Sequence, residues 1–371
     1  MNAKHTTLSI VLLLVLGSTN CVAQTPASIT VTAYFMGREA DVDSVAADKL
    51  THIIFSFLHL KGNVLQVDNP EDASTITSLV ALKKKNPALK ILLSLGGWGG
   101  CETCADVFST SKGRKDFAQS VLQLNQFFKT DGIDIDWEYP AIEGYPGHKF
   151  GPSDKQNFTD LILELRQSLG TEYEISFAAG GFRKFLDESV EWKKIIDAVD
   201  RVNLMTYDLV NGFSKVTGHH TPLYSNTDQK ESTDNAVKYL IKMGLPANKL
   251  VIGAAFYGRM WEDVPATNNG LYQSGKFKAG VNYDEFDSAL SVNNGWKHYW
   301  DNVSKAPYAY NAGEKLFITY DDAKSMEVKV KYTVDARLNG IMFWEINNDK
   351  SRGGLLDAID KVKQKYRPKA K

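Results

Sequence analysis

Three carboxylates recur at every second position, Asp134, Asp136 and Glu138, with Ile133, Ile135 and Trp137 between them. Successive side chains of a strand point to opposite faces, so the three acids share one face and the three apolar residues the other. Neighbours on such a face are only about 7 Å apart. If the apolar face packs against a core layer, the acidic face points into a confined interior. Three carboxylates held that way cannot all ionise cheaply, so at least one keeps its proton near neutral pH. A carboxylic acid in that state is a general acid. Two other uses fit less well. A solvated acidic strand would not carry a tryptophan and two isoleucines on its back. A hard cation would need oxygen donors from neighbouring loops.

The elements that must hold this strand alternate along the chain. Strand-like runs fall at 29–34, 52–57, 91–95, 133–137, 174–178, 201–207, 250–256 and 340–344, with amphipathic helical stretches such as 115–128, 155–169 and 235–243 between them. Gly132 and the pair Leu245-Pro246 punctuate the joins. Eight β-α units without a break in composition predict an α/β fold, a TIM (β/α)8 barrel. A doubly wound open sheet is the alternative. It would advertise a glycine-rich phosphate-binding turn, and none follows a strand here. The interval between the seventh and eighth runs is about twice the average unit and is rich in Tyr, Asn, Gly and Trp. We read 259–320 as a small α+β insertion domain, with the barrel over 24–258 and 321–371. Insertions after barrel strands land on the C-terminal face, where active sites of this fold lie.

The whole-chain figures narrow the function class. The 371 residues carry 43 Lys+Arg against 44 Asp+Glu, a net charge of −1. That balance gives no reason to expect nucleic acid or an anionic membrane as a partner. The 18 Phe, 16 Tyr and 7 Trp serve core packing first, but flat rings also suit sugars. At the N-terminus, Lys4 precedes an apolar run, 8–16, that is too short to span a bilayer. Cys21-Val22-Ala23 fits a small-x-small cleavage pattern, so 1–23 reads as a signal peptide and the protein as secreted or periplasmic. A lipid anchor on Cys21 is the weaker alternative, because Ser18-Thr19-Asn20 is a poor match to a lipobox. Cys101 and Cys104 then remain, and in an oxidising compartment they predict a local disulfide. No second cysteine pair completes a zinc site. His219-His220 has no acidic partner nearby in sequence and is read as loop structure. No metal, no cofactor, no membrane span and a monomeric state are expected.

Residues 131–138 resemble the DxxDxDxE signature of the family 18 glycoside hydrolases, the chitinases. Ser94-Leu95-Gly96-Gly97-Trp98 is similar to the family's SxGG motif. Met205-Thr206-Tyr207-Asp208, Phe256-Tyr257-Gly258-Arg259 and Met342-Phe343-Trp344 are similar to its motifs on the sixth, seventh and eighth strands. The resemblance implies substrate-assisted retaining hydrolysis of chitin or chitooligosaccharides, an exception to the two-carboxylate scheme. It implies Glu138 as acid and then base, and Asp136 as the partner of the sugar's acetamide N–H. Asp134 would share a proton with Asp136, and Tyr207 would donate to the acetamide oxygen. It further implies that Asp208 binds the distorted sugar, that Trp344 floors that subsite and that Trp98 stacks on the next sugar. Tyr34 and Ser94 would hydrogen-bond Asp134, Phe55 and Met205 would line the pocket, and Tyr257 and Arg259 complete the substrate-binding set. Two features depart from this pattern or leave it open. Glu345 adds an acid directly after Trp344, and the insertion is compact, which leaves endo and exo action undecided. An endo-β-N-acetylglucosaminidase acting on N-glycans and a chitin-binding lectin remain as alternatives. The aromatic insertion argues against the first, and the presence of Glu138 against the second.

Overall fold

The computed structural model describes residues 29–366. The signal-peptide reading of 1–23, Cys21 included, lies outside them. Fourteen strands are described: β1 Thr30–Phe35, β2 His52–Lys61, β3 Val64–Gln66, β4 Lys90–Gly96, β5 Gly132–Asp136, β6 Glu174–Gly180, β7 Arg201–Met205, β8 Leu250–Ala255, β9 Tyr257–Glu262, β10 Lys276–Asn282, β11 Trp296–Asp301, β12 Ala306–Asn311, β13 Leu316–Thr319 and β14 Gly340–Trp344. Eight of them pair in parallel in the order β1-β14-β8-β7-β6-β5-β4-β2, and β1 also pairs with β2, so the sheet closes. This is the (β/α)8 barrel that the alternation predicted. β3 only forms a hairpin with the outer end of β2.

Two separate cores follow from the alternation of side chains. The outer one lies between sheet and helices and takes Ile133, Ile135 and Trp137 from the acidic strand. Trp137 meets Phe108 and Phe158 at ring distances of 5.6 and 6.4 Å. Helices Ser111–Phe128 and Asp154–Leu169 cover this side, burying Phe117, Val121, Phe158 and Leu161. Two of the capping side chains are readable in sequence: Thr110 accepts from the Gly113 N–H and Ser232 from the Asn235 N–H. The inner core fills the barrel with Tyr34, Ile54, Leu92, Val251 and Met342, among others.

A second sheet, antiparallel in the order β10-β9-β13-β12-β11, occupies the interval between the seventh and eighth barrel strands. Its own apolar centre is Trp261, Tyr308, Tyr310 and Phe317. β9 starts two residues after β8 ends, so it rises directly from the barrel mouth and carries Tyr257 and Arg259 with it. Where the chain re-enters the barrel, the buried Asp321 carboxylate accepts from Lys329 Nζ at 2.6 Å and from the Ala255 N–H at 3.0 Å. That ties the root of the insertion to the end of β8. Among the described residues, no helix is long and apolar enough to cross a membrane.

Candidate active site

Register brings the polar residues of the barrel interior to one level. Ser94 of β4 pairs with Asp134 of β5, which pairs with Ser176 of β6. Asp134 is fully buried and is met from four other strands. Its Oδ2 accepts from Tyr34 Oη at 3.0 Å and from Ser94 Oγ at 3.3 Å. Its Oδ1 accepts from Ser176 Oγ at 2.5 Å and from Asn203 Nδ2 at 3.0 Å. Burial pushes the Asp134 carboxyl up, and the Ser176, Tyr34 and Asn203 bonds oppose that. Tyr34 and Ser94 therefore hold Asp134, as expected, and do not line the cleft. Ser176 and Asn203 are additional partners that the motif reading missed. Each was visible as a polar residue flanked by Ile175 and Phe177 or by Val202 and Leu204.

One step nearer the mouth, Asp136 is buried and its Oδ1 has no hydrogen-bond partner among the described residues. Burial, with Glu138 and then Asp134 adding like charge, pushes its carboxyl well up. Glu138 follows just beyond the end of β5 and lines the cleft. Burial lifts it to about 7; Tyr139 opposes this and the charge of Asp208 adds to it. The strand can lie this close to β4 because Gly96 has no side chain: a Cβ there would stand 2.2 Å from the Asp136 carbonyl oxygen, and its φ is +109°.

The opposite wall comes from β7, β8 and β9. Burial would push Asp208 up, but the Arg259 guanidinium holds it well below the usual carboxylate range. Arg259 donates from Nε to Oδ1 at 2.7 Å and from Nη2 to Oδ2 at 2.6 Å. Tyr257 Oη donates to Oδ2 at 2.9 Å. Tyr257 and Arg259, expected as substrate-binding residues, are thus placed first to lock Asp208, although both also line the cleft. Burial holds the Tyr207 hydroxyl far above its ordinary range, so it stays a neutral donor. Met205 and Trp344 line the floor. Trp344 stacks on Phe57 with ring centroids 5.6 Å apart and planes 16° from parallel.

One expectation needs correction. Phe55 does not line the pocket; it packs in the outer core with Ile53 and Leu93. The β2–β4 register slips between Phe55 and Leu58, and Phe57 lines the cleft instead. His219 and His220 lie outside any helix or strand, and the fold gives each an acidic neighbour. His219 Nε2 lies 3.1 Å from Asp301 Oδ2, and His220 Nδ1 lies 3.7 Å from Asp208 Oδ1. Glu345 does not line the cleft; its Oε2 accepts from the Met36 and Asn347 N–H groups.

At the other end of the cleft, Trp98 is 48% exposed. Its loop runs into Cys101 and Cys104, which are disulfide-bonded. The whole cleft encloses about 1670 Å³, more than the 300–1,000 Å³ usual for a single small ligand. It has room for a ligand of several linked rings.

The family model for glycosyl hydrolases family 18 matches residues 30–349. Chitinase A1 of Niallia circulans is 36% identical over 305 residues, covering 76% of this chain and 43% of that protein. The chain thus matches less than half the length of that relative. Chitinase B of Serratia marcescens is 30% identical, covering 87% of this chain and 78% of its own. Among solved structures, a glycoside hydrolase family 18 N-acetylglucosaminidase from Paenibacillus barengoltzii superposes with a TM-score of 0.82 at 36% identity, over 90% of this chain and 99% of its own.

Proposed function

Because the chain belongs to glycosyl hydrolases family 18, we propose that it is a secreted chitinase cleaving β-1,4-linked N-acetylglucosamine chains by substrate-assisted, retaining catalysis. The observation that carries this reading is the pairing of a protonated acid with an unused buried acceptor. Burial lifts Glu138 to about 7 and it lines the cleft, while Asp136 Oδ1 has no hydrogen-bond partner among the described residues. In the reading, Glu138 donates its proton to the glycosidic oxygen. The acetamide carbonyl oxygen of the bound sugar attacks its own anomeric carbon as the bond to the leaving sugar breaks. Asp136, sharing its resting proton with Asp134, accepts from the acetamide N–H, and its carboxylate balances the positive oxazolinium ring. Tyr207 donates to the acetamide oxygen and orients it. The Glu138 carboxylate then takes a proton from the water that opens the ring, which restores the acid and retains the anomeric configuration. Trp344 on Phe57 forms the floor for the reacting sugar, Met205 lines it, Asp208 bonds its hydroxyls, and Trp98 stacks on the unit beyond. No step calls for a metal or cofactor.

The test is the product ladder from N-acetylglucosamine hexamer, wild type beside Glu138→Gln. We expect cleavage by the wild type and a fall in kcat of about 10²–10⁴-fold in the variant. Wild-type turnover by Glu138→Gln removes that residue from the role of acid. Binding without cleavage by either protein makes the chain a lectin. The Paenibacillus relative, named an N-acetylglucosaminidase, favours a second reading, the release of single sugars from a chain end. In the same ladder, monomer as the first and dominant product supports that reading, and mixed internal products oppose it. Export is part of the proposal. A mature chain beginning at Gln24, measured by mass outside the cell, is the expected result, and an intact Met1 would contradict it.

A further inference from the structure

We propose that Tyr145 is a positioning residue that fixes the pitch of the Trp98 ring, and thereby sets how strongly the cleft holds sugar units on the leaving-group side. The inference rests on the reading of the cleft as a chitooligosaccharide site. The sequence gives Trp98 an unsteady seat. It lies between glycines, and Gly96, Gly97 and Gly99 all have positive φ, +109°, +80° and +93°. Such a stretch has little side-chain packing of its own to hold a large ring. Three other rings meet Trp98. Tyr139, at 6.4 Å, and Phe213, at 6.2 Å, both line the cleft, so a sugar would touch them directly. Tyr145 is different. It meets Trp98 edge to face, at 5.6 Å and 68°, without lining the cleft itself. It also occupies the space beside Gly99, where a Cβ would stand 3.2 Å from its ring. His148 backs it at 4.8 Å. The loop that carries Tyr145 is anchored to the segment after Trp98, where Lys149 Nζ bonds both Asp106 carboxylate oxygens at 2.9 Å. The loop after β5, which also carries Glu138, thus holds the stacking platform supplied by the loop after β4.

An edge-to-face aromatic pair contributes about 0.5–1.5 kcal/mol beyond its buried area, or about 2- to 12-fold in an equilibrium constant. The experiment compares two substrates in Tyr145→Ala, Tyr145→Leu and Tyr145→Phe. The first is the N-acetylglucosamine hexamer, which must lie across Trp98. The second is the chitobiosyl fluoride, whose one-atom leaving group cannot reach it. We expect the hexamer KM to rise by about 2- to 12-fold in the Ala and Leu variants. The kcat/KM for the fluoride should stay within about twofold, and Tyr145→Phe, which keeps the ring, should restore wild-type values. An unchanged hexamer KM in Tyr145→Leu overturns the proposal. So does an equal loss on both substrates, which marks general damage. If Tyr145→Ala does not fold, the Leu variant decides. If the wild type cleaves neither substrate, the chitinase reading fails by itself. Hexamer affinity by calorimetry, wild type against Tyr145→Leu, then decides the positioning role alone.

Discussion

The two walls of the cleft carry the same kind of residue in opposite electrostatic settings. On the β5 wall, Asp136 is buried beside two other acids with no cation near it, and its carboxyl is pushed well up. On the β7–β9 wall, Asp208 is held by a guanidinium fork and a tyrosine hydroxyl and stays ionised far into acid. Burial acts the same way on both; the difference lies in the partners. One wall stores a proton and the other a fixed negative charge, and Glu138 lies between them. The fixed charge helps keep Glu138 protonated up to about 7, which is the state a general acid needs.

The comparison can be broken most sharply at Asp136. Asparagine there keeps the shape and removes the carboxylate that, once its proton has moved toward Asp134, would balance an oxazolinium ring. We expect kcat on the hexamer to fall by about 10²-fold with little change in KM. A near-normal kcat would mean that the Asp136 carboxylate plays no part in the rate. Asp208 sharpens the comparison in the other direction. Removing its negative charge in Asp208→Asn lowers the pKa of Glu138, so the alkaline limb of the kcat/KM–pH profile, which reports the free enzyme, moves down from about 7, by up to about one pH unit. Arg259→Met leaves the Asp208 charge uncompensated and moves the limb up instead. Shifts of equal sign in these two variants would contradict the arrangement.

An effect on stability, with no change in the chemistry of the cleft, is expected at Glu345. Burial lifts this acid from 4.5 to about 7. The unfolded chain loses the proton first as pH rises, so the stability this group contributes is full below 4.5 and is lost through about 7. The loss is up to about 3 kcal/mol. In Glu345→Gln the midpoint of thermal unfolding should fall less between those pH values than in the wild type. Equal slopes in the two proteins would show that Glu345 is not the group responsible.

Most of this architecture was legible because period-2 patterning is strict where a strand faces two cores. The acidic strand sorted itself into Ile133, Ile135 and Trp137 on one side and three carboxylates on the other, and the structure keeps that division. Ser176 and Asn203 obeyed the same rule and could have been found by it. They were missed because the motifs drew attention to strand ends rather than to mid-strand polar residues. Phe57 could not have been found by alternation, which puts it on the face of Ile53 and Phe55. The register slip between β2 and β4 turns it round, and nothing local in the sequence marks the slip. The acidic partner of His219 was also out of reach. Asp301 lies 82 residues away, and only the packing of the insertion against the barrel brings it near.

The Asp134 carboxylate draws its donors from β1, β4, β6 and β7 while sitting on β5 itself. Five of the eight staves of the barrel therefore meet at one buried carboxyl group. A partly open barrel would leave that group without its donors, and such a state is costly. The residue that seats the catalytic column is thus also the rivet that closes the fold. A half-formed barrel should be chemically silent, so hydrolysis becomes a report on complete closure, and its loss on heating should track the cooperative melting of the sheet.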